Sequence, residues 1–359
     1  MIAESTVLSE IHHPYQLQSF FECWWQYLSP KFDIVDVHHN LAIHRREMCK
    51  GVALKELRYA GWNNAWSQDF DQRCYEQFAS LQPQSQWDYL ALTWPESRRA
   101  FQRFELLTEL GLEIFQKPSS TAYWVDLHHG FDAYLSQLSA AKRKDIRRKL
   151  KKSEALHPEL RRFSGIDGIQ QFFSLFFKHH LAYWTQKAGH SYFSDLRERD
   201  FIVAWAQALE EQGALLLEGF YLNGTLTNLT MNILMGHTLY SVMTINTGEY
   251  QEFAPGLLSL YHRMARATEY NILQINLGDG EHGYKAGIAN RTDPYYSLLL
   301  ANPKSIRGQA YVNYVKYKTL SPIQIPEITG ISAKIPDLGR LFLPGFIPGG
   351  AVASLVSVA

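Results

Sequence analysis

Residues 214–244 read ALLLEGFYLNGTLTNLTMNILMGHTLYSVMT, and this stretch decides the fold. Three apolar runs, Ala214–Leu222, Thr225–Met235 and Thr238–Thr244, are separated by Asn223-Gly224 and Gly236-His237. Two-residue hairpin turns need backbone in the positive-φ region, which Gly and Asn adopt at little cost. The spacing therefore predicts three consecutive antiparallel strands.

Helical periodicity flanks them. Gly168–Lys187 and Asp195–Gln212 carry apolar residues at helical spacing before the strands, and Pro255 opens another helix that runs to about Thr268. A strand at Ile272–Leu277, a second near Tyr295–Leu300 and a tyrosine-rich helix over Pro303–Lys318 follow. The first half mixes elements in the same way. Tyr15–Leu28, Asp69–Leu81 and Glu96–Leu110 read as helices, and Phe32–Val37, Leu41–His44, Val52–Tyr59, Trp87–Thr93 and Thr121–Leu127 as strands. A connector joins the halves: a helix at Phe131–Gln137, then a basic helix from about Ser139 to Leu156, stopped by Pro158. The fold class is α/β (α+β) with a mixed, mainly antiparallel sheet. No short repeat is present, but both halves follow a plan of helix, antiparallel strands and helix, as a duplicated fold would. The expected divisions are 1–138, 139–320 and an apolar Gly/Pro-containing tail, 321–359.

Composition narrows the function classes. Of 359 residues, 46% are apolar and 19% charged, a normal globular balance, and aromatics at 14% suit large flat walls. The formal net charge is zero, so the whole molecule has no general pull toward nucleic acid. The charge is uneven, however: Lys142–Lys152 (KRKDIRRKLKK) holds eight basic residues and one acid, leaving the rest of the chain acidic. Cys23, Cys49 and Cys74 are odd in number and lack a CxxC, which fits reduced thiols in a cytoplasmic protein. No secretory leader is expected from MIAESTVLSEIHH. Leu341–Ala359 is uncharged but interrupted by Pro344, Gly345, Pro348, Gly349 and Gly350, so stable membrane insertion is not expected. Histidine occurs in four adjacent pairs, a poor chelating geometry, and no metal is expected. Nor is there a P-loop, a dinucleotide fingerprint or a serine-nucleophile motif.

The chemistry concentrates at Ile275–Lys285, INLGDGEHGYK. A strand runs into a glycine-rich turn bearing Asp279 and Glu281, followed at once by Tyr284 and Lys285. Scaffolds present reactive groups at such strand ends, although Asp and Gly are also ordinary turn formers.

The second half resembles a Fem-type acyltransferase domain of the GNAT superfamily, in particular the CelD-type acetyltransferase-like proteins of polysaccharide and envelope pathways. The resemblance covers roughly Ser139–Leu300. It rests on the basic helix, the helices up to Gln212, Phe253-Ala254-Pro255-Gly256 opening a helix, and Gly278–Lys285 as a glycine/acid turn ending in Tyr-Lys. The family's serine before Pro-Gly is Ala254 here, and the pyrophosphate loop of ordinary GNAT enzymes is absent. The resemblance implies two tandem GNAT-like domains and acyl transfer to an amine, such as an amino sugar, amino acid or peptide. No cofactor is held permanently; acyl-CoA is the favoured co-substrate, with aminoacyl-tRNA as the alternative. A catalytically silent binding protein in polysaccharide assembly is a third reading.

Acyl transfer to an amine needs a base, donors for the oxyanion and help for the leaving group. Asp279 or Glu281 is the expected base, Tyr284 a proton donor or a packing residue, and Lys285 a cation for a donor phosphate or developing charge. Pro255 and Gly256 open a helix whose N-terminus suits an anion, and the donor is expected near Thr244 and Asn246 as well. The basic helix, Arg147 included, either grips phosphates of CoA or tRNA, braces the domain junction or forms a solvated face. Trp184, Tyr192 and Phe193 offer an acceptor wall or plain core packing.

Overall fold

A computed structural model of the protein describes residues 13–38, 41–49, 52–59, 87–95, 114–279 and 283–320. The expected helices at Asp69–Leu81 and Glu96–Leu110, the carboxylate Glu281 and the tail lie outside these residues. In chain order the described elements are α1 (Gln18–Tyr27), β1 (Ile34–His38), β2 (Leu41–Cys49), β3 (Val52–Tyr59), β4 (Tyr89–Pro95), β5 (Ile114–Asp126), α2 (Gly130–Gln137), α3 (Ala140–Glu154) and β6 (Glu159–Phe163). Then come α4 (Gly165–Ala188), α5 (Leu196–Glu211), β7 (Leu215–Leu222), β8 (Thr225–Met235), β9 (Thr238–Asn246), α6 (Pro255–Ala265), β10 (Gln274–Asp279), α7 (Gly283–Ala286), β11 (Arg291–Ala301) and α8 (Ile306–Leu320). Among the described residues no helix is long and apolar enough to cross a membrane.

The chain forms two compact units: Thr121–Asp293, and the described residues on either side of that span. In the first, the strand order is β5-β10-β9-β8-β7-β6. The strands β6 to β9 are antiparallel neighbours, β9 and β10 are parallel, and β10 and β5 are antiparallel. In the second unit the order is β1-β2-β3-β4-β11. There β1, β2 and β3 are antiparallel neighbours, β3 and β4 are parallel, and β4 and β11 are antiparallel. Each unit thus contains an antiparallel meander, one parallel pair and an antiparallel closing strand. The class is mixed α/β with mainly antiparallel pairing, as the sequence predicts. The sequence division falls at 138/139, whereas the compact unit holding the basic helix starts at Thr121 and takes in the second half of β5 and all of α2.

The turns explain the first unit's meander. Asn223 and Gly224 have φ of 49° and 76°, the double positive φ of a tight hairpin, and β7 and β8 pair from Leu222↔Thr225 to Leu215↔Ile233. Gly236, at φ 56°, turns β8 into β9. Strand β6, ELRRF, is not apparent from the pattern because only Leu160 and Phe163 are apolar. It pairs along β7 at the end of the strand order, where polar side chains are tolerated. Strand β5 starts at Ile114 rather than Thr121, with Pro118 inside it.

One sheet face of this unit packs Val125, Leu239, Ile275 and Leu277 against Leu257, Leu260, Tyr261 and Met264 of α6, Ile146 of α3, and Tyr134 and Leu135 of α2. Helices α4 and α5 pack on the same sheet through β6, β7 and β9. They share an aromatic core in which Phe172, Phe176, Phe201 and Trp205 are fully buried.

Helix α6 is also pinned by polar contacts. The Arg263 guanidinium donates to Glu218 of β7 at 2.6 Å and to Thr230 Oγ1 of β8 at 2.8 Å, and Asn232 Nδ2 donates to the same Oγ1 at 3.2 Å. Both charged side chains are 3% exposed. Breaking one member of a buried pair strands the other, at about 3–5 kcal/mol, whereas a well-packed apolar pair is often neutral. Arg263→Ala is therefore expected to lose about that much stability in urea denaturation, and the double variant Arg263→Met, Glu218→Leu to recover most of it.

Candidate functional site

Strands β9 and β10 run parallel but pair over only three positions, Gln274↔Thr238, Ile275↔Leu239 and Asn276↔Tyr240. Beyond them β9 continues to Asn246 and β10 to Asp279 with no further ladder between the two. Both strands bend where pairing stops. On β9 the register against β8 jumps between Met231 and Asn232, leaving Val242 as the extra residue of a bulge. On β10, Gly278 takes φ 76° and its N–H donates to Asn276 Oδ1 at 2.7 Å, and the ladder to β5 shifts over the same residues. The result is a wedge between parted strands, with β9 main chain along one wall.

The far end of β9 meets the start of α6. Tyr250 and Ala254 both lie in the left-handed region, at φ 52° and 50°, and turn the chain into a helix with Pro255 in its first turn. Ala254 gives no side-chain cap; its carbonyl accepts from Leu257 N and Leu258 N at 3.0 Å. Beneath this turn, Asn228 Nδ2 donates to Thr244 Oγ1 at 2.9 Å, Ile245 O at 3.1 Å and Asn246 Oδ1 at 2.9 Å. A Cβ on Gly256 would stand 2.9 Å from Asn246 Oδ1 and 3.3 Å from Asn228 Nδ2. Helix α6 can approach β8 and β9 this closely only because residue 256 has no side chain. Thr244, Asn246, Pro255 and Gly256 are thus brought together as one corner.

Asp279, Tyr284 and Lys285 gather at the end of β10. Lys285 is 3% exposed, and its Nζ donates to the Asp279 carbonyl at 2.9 Å. Burial lowers its ammonium pKa to about 8, against a smaller opposing pull from Asp279. Tyr284 packs against the α6 core, and burial pushes its phenol well above the usual range, so it stays protonated.

The basic helix α3 is partly structural. Ser139 caps it by accepting from Lys142 N at 3.3 Å. Arg143 donates to the carbonyls of Leu135, Ser136 and Leu138 at 3.3–3.5 Å, closing α2. Arg148 and Lys149 pair with Asp145 at 2.7 and 3.1 Å, and the exposed Arg147 lies 3.6 Å from Asp132. Its two ends fall beside the groups above. Lys142 Nζ lies 3.4 Å from where a Cβ on Gly287 would be, just past Lys285, and Lys152 Nζ sits 4.6 Å over the Phe253 ring, just before Pro255.

Trp184, Tyr192 and Phe193 are placed elsewhere. Phe193 is 2% exposed among Phe176, Phe177 and His180; Tyr192 donates to Glu198; Trp184 packs on His180 and Tyr183. Their contacts knit α4 to α5. Sequence reasoning misses Asn228, although two asparagines in the interior of β8, Asn228 and Asn232, are a visible anomaly because asparagine is depleted in strands.

Residues 140–286 match the family model of the acetyltransferase (GNAT) domain. The match opens on the first residue of α3 and closes one residue after Lys285. Among solved structures, the chain is similar to the crystal structure of FemX, with a TM-score of 0.54 and 11% identity over 88% of this chain and 98% of that one. It is also similar to a conserved protein of unknown function from Bacteroides thetaiotaomicron, with a TM-score of 0.50 and 14% identity over 84% of this chain and 97% of that one. No curated protein matches the sequence. Residues 140–286 thus carry the signature of the acetyltransferase (GNAT) domain, on a fold similar to that of FemX.

Two outcomes follow from this geometry. Gly256→Ala is expected to cost about 1–3 kcal/mol of stability in urea denaturation while leaving the far-ultraviolet spectrum intact, because the helix start must move off the Asn228–Asn246 pair. Lys285 binds its proton less tightly in the folded protein than in the unfolded chain, so between the folded value of about 8 and the ordinary 10.5 unfolding takes up a proton. Stability should rise with pH through that window. In denaturation at stepped pH, Lys285→Met should remove the rise and be the more stable protein at pH 7.

Proposed function

We propose that this protein is an N-acyltransferase that moves an acyl group from an acyl-CoA to an amine, in a cytoplasmic step of polysaccharide or envelope assembly. The observation that carries the reading is the wedge between β9 and β10 with the start of α6 at one end and Lys285 at the other. An extended donor arm can add to the unpaired edge of β9 as a strand would, and its phosphates suit the first turn of α6, where helix dipole and N–H groups favour anions. Lys152 adds positive charge there. The acceptor amine attacks the thioester carbonyl carbon, the C–N bond forms, the carbonyl becomes an oxyanion, and its collapse expels the thiolate. Asp279 or Glu281 takes the amine proton, Tyr284 supplies a proton to the thiolate, and Lys285 meets the developing charge as a cation. Trp184, Tyr192, Phe193 and Arg147 act from further away in this reading, by holding α4 and α3 in place.

The tandem arrangement, with the division at 138/139, belongs to the same proposal. Its support is that both units repeat meander, parallel pair and closing strand.

A second donor, an aminoacyl-tRNA, is favoured by one observation. Ala140, Arg143, Lys144, Arg147, Arg148 and Lys151 line a shallow groove along α3, a basic surface suited to phosphates. Under that reading tRNA binds tightly and loses affinity steeply with salt, while acyl-CoA gives no thermal shift. A silent binding protein would be untouched in every activity by Lys285→Ala or Glu281→Gln.

With acetyl-CoA and an amine panel, release of free CoA thiol should be detectable. Lys285→Ala should lower kcat by about 100-fold or more, on the scale of a lost oxyanion donor. The kcat/KM profile of the free enzyme should fall as pH rises through about 8, where Lys285 loses its charge, and Lys285→Arg should move that fall upward. No thiol release with any acceptor, or an unchanged profile in Lys285→Arg, would sink the assignment.

A further inference from the structure

Side chains alternate across the first unit's sheet. Val125, Leu239 and Ile275 face α6, so Trp124, Tyr240, Gln274 and Asn276 face the other way. Tyr240 and Asn276 form the last pair before β9 and β10 part, and Trp124 sits opposite Asn276 on the neighbouring strand. The three therefore ring the apex of the wedge, where the strands begin to part, on the face away from α6. Trp124 and Tyr240 meet edge to face, with ring centroids 6.2 Å apart.

Arg291 lies over this surface. Its guanidinium carbon is 4.4 Å from the Trp124 ring centre. One terminal nitrogen donates to Gln274 Oε1 at 3.2 Å, and the other is 3.9 Å from the Asp293 carboxylate. Gln274 is in turn held by donating to Thr238 Oγ1 at 2.7 Å. The guanidinium is thus fixed by stacking and by a braced amide. Yet Arg291 Nε and Trp124 Nε1 are shut away from solvent with no acceptor among the described residues. With those two N–H groups closed off, the partly exposed Arg291 side chain, 39% exposed, offers its terminal N–H groups beside a flat aromatic floor, a setting that suits an oxygen-rich, anionic group on a planar or ring-shaped body.

We infer that Trp124, Tyr240 and Arg291 form the acceptor subsite, and that the acceptor is an amine bearing a carboxylate or phosphate. This rests on the acyltransferase reading: a donor threaded through the wedge from the α6 side delivers its acyl end at Tyr240 and Asn276, where this patch begins. The anion meets the terminal N–H groups of the partly exposed Arg291 side chain, the body of the acceptor lies along the Trp124–Tyr240 aromatic edge, and the amine is left pointing at the wedge. Arg291 is here a specificity residue that touches the acceptor's anionic group and takes no part in proton transfer.

The test pairs each charged amine with a neutral counterpart: glucosamine 6-phosphate against glucosamine, and phenylalanine against its amide, with acetyl-CoA as donor. Wild type should favour one charged member at least tenfold in kcat/KM, and which pair shows it separates phosphate from carboxylate. Arg291→Met should abolish that preference by raising KM for the charged acceptor at least tenfold more than for the neutral one, without a matching rise in the KM for acetyl-CoA. Trp124→Phe, which keeps a smaller aromatic face but loses the indole's second ring and N–H, should lose part of the preference and guards against a folding defect in Arg291→Met. Equal use of charged and neutral acceptors by wild type, or a preference that survives Arg291→Met, overturns the inference. If no donor supports turnover, the donor reading has failed separately. Calorimetric titration of the same four amines then decides, with binding of a charged member that Arg291→Met abolishes expected, and equal or absent binding overturning it.

Discussion

A strand that loses its partner halfway exposes a row of main-chain donors and acceptors, and everything at this site depends on that loss being enforced. Strands β9 and β10 pair over three positions and then part. Left alone, such edges would close up, because unpaired main-chain groups away from water are costly. Three local devices hold them apart: the bulge at Val242, the positive-φ bend at Gly278, and the anchoring of α6 beside the end of β9. The anchoring is polar. Asn228, Thr244 and Asn246 support the first turn of α6, and Arg263 ties the later turns to Glu218 and Thr230. Hydrophobic burial seats the helix on the sheet, but a non-directional force does not set its position along the sheet to a fraction of an ångström.

The site also carries groups that cost stability. Lys285 is buried with one carbonyl partner and a depressed pKa, and buried Trp124 and Arg291 donors go without acceptors among the described residues. A fold optimised for stability alone would replace each with an apolar side chain. They cluster around the wedge, the placement expected of groups kept for function rather than for stability. The basic helix behaves similarly. Arg143, Arg148 and Lys149 serve the protein's own structure, while Lys142 and Lys152 bracket the site at its two ends.

Local chemistry made much of this readable from the sequence. Asn223-Gly224 and Gly236 mark real turns because their backbone conformations demand those residues. Ser139 caps α3 and Pro255 starts α6 for the same kind of reason. The corner formed by Thr244, Asn246, Pro255 and Gly256 came from resemblance and proved to be spatially one place. What stayed hidden is non-local. Strand β6 has too few apolar residues to announce itself, and β5 hides its first half behind Pro118. The pairing of Trp124 with Tyr240 and Arg291 joins three distant segments, and no periodicity connects them. Trp184, Tyr192 and Phe193 illustrate the converse, since aromatic composition alone does not separate a groove wall from the core they occupy.

In the proposed mechanism the donor binds as an added strand in the gap beside β9. Amide hydrogen exchange, measured with and without saturating acetyl-CoA and separately with aminoacyl-tRNA, tests it most directly. The account predicts new protection at residues 241–246 of β9 and at Gly256, with whichever donor is the true one. Protection confined to other strands, or binding that leaves these amides unchanged, would contradict it.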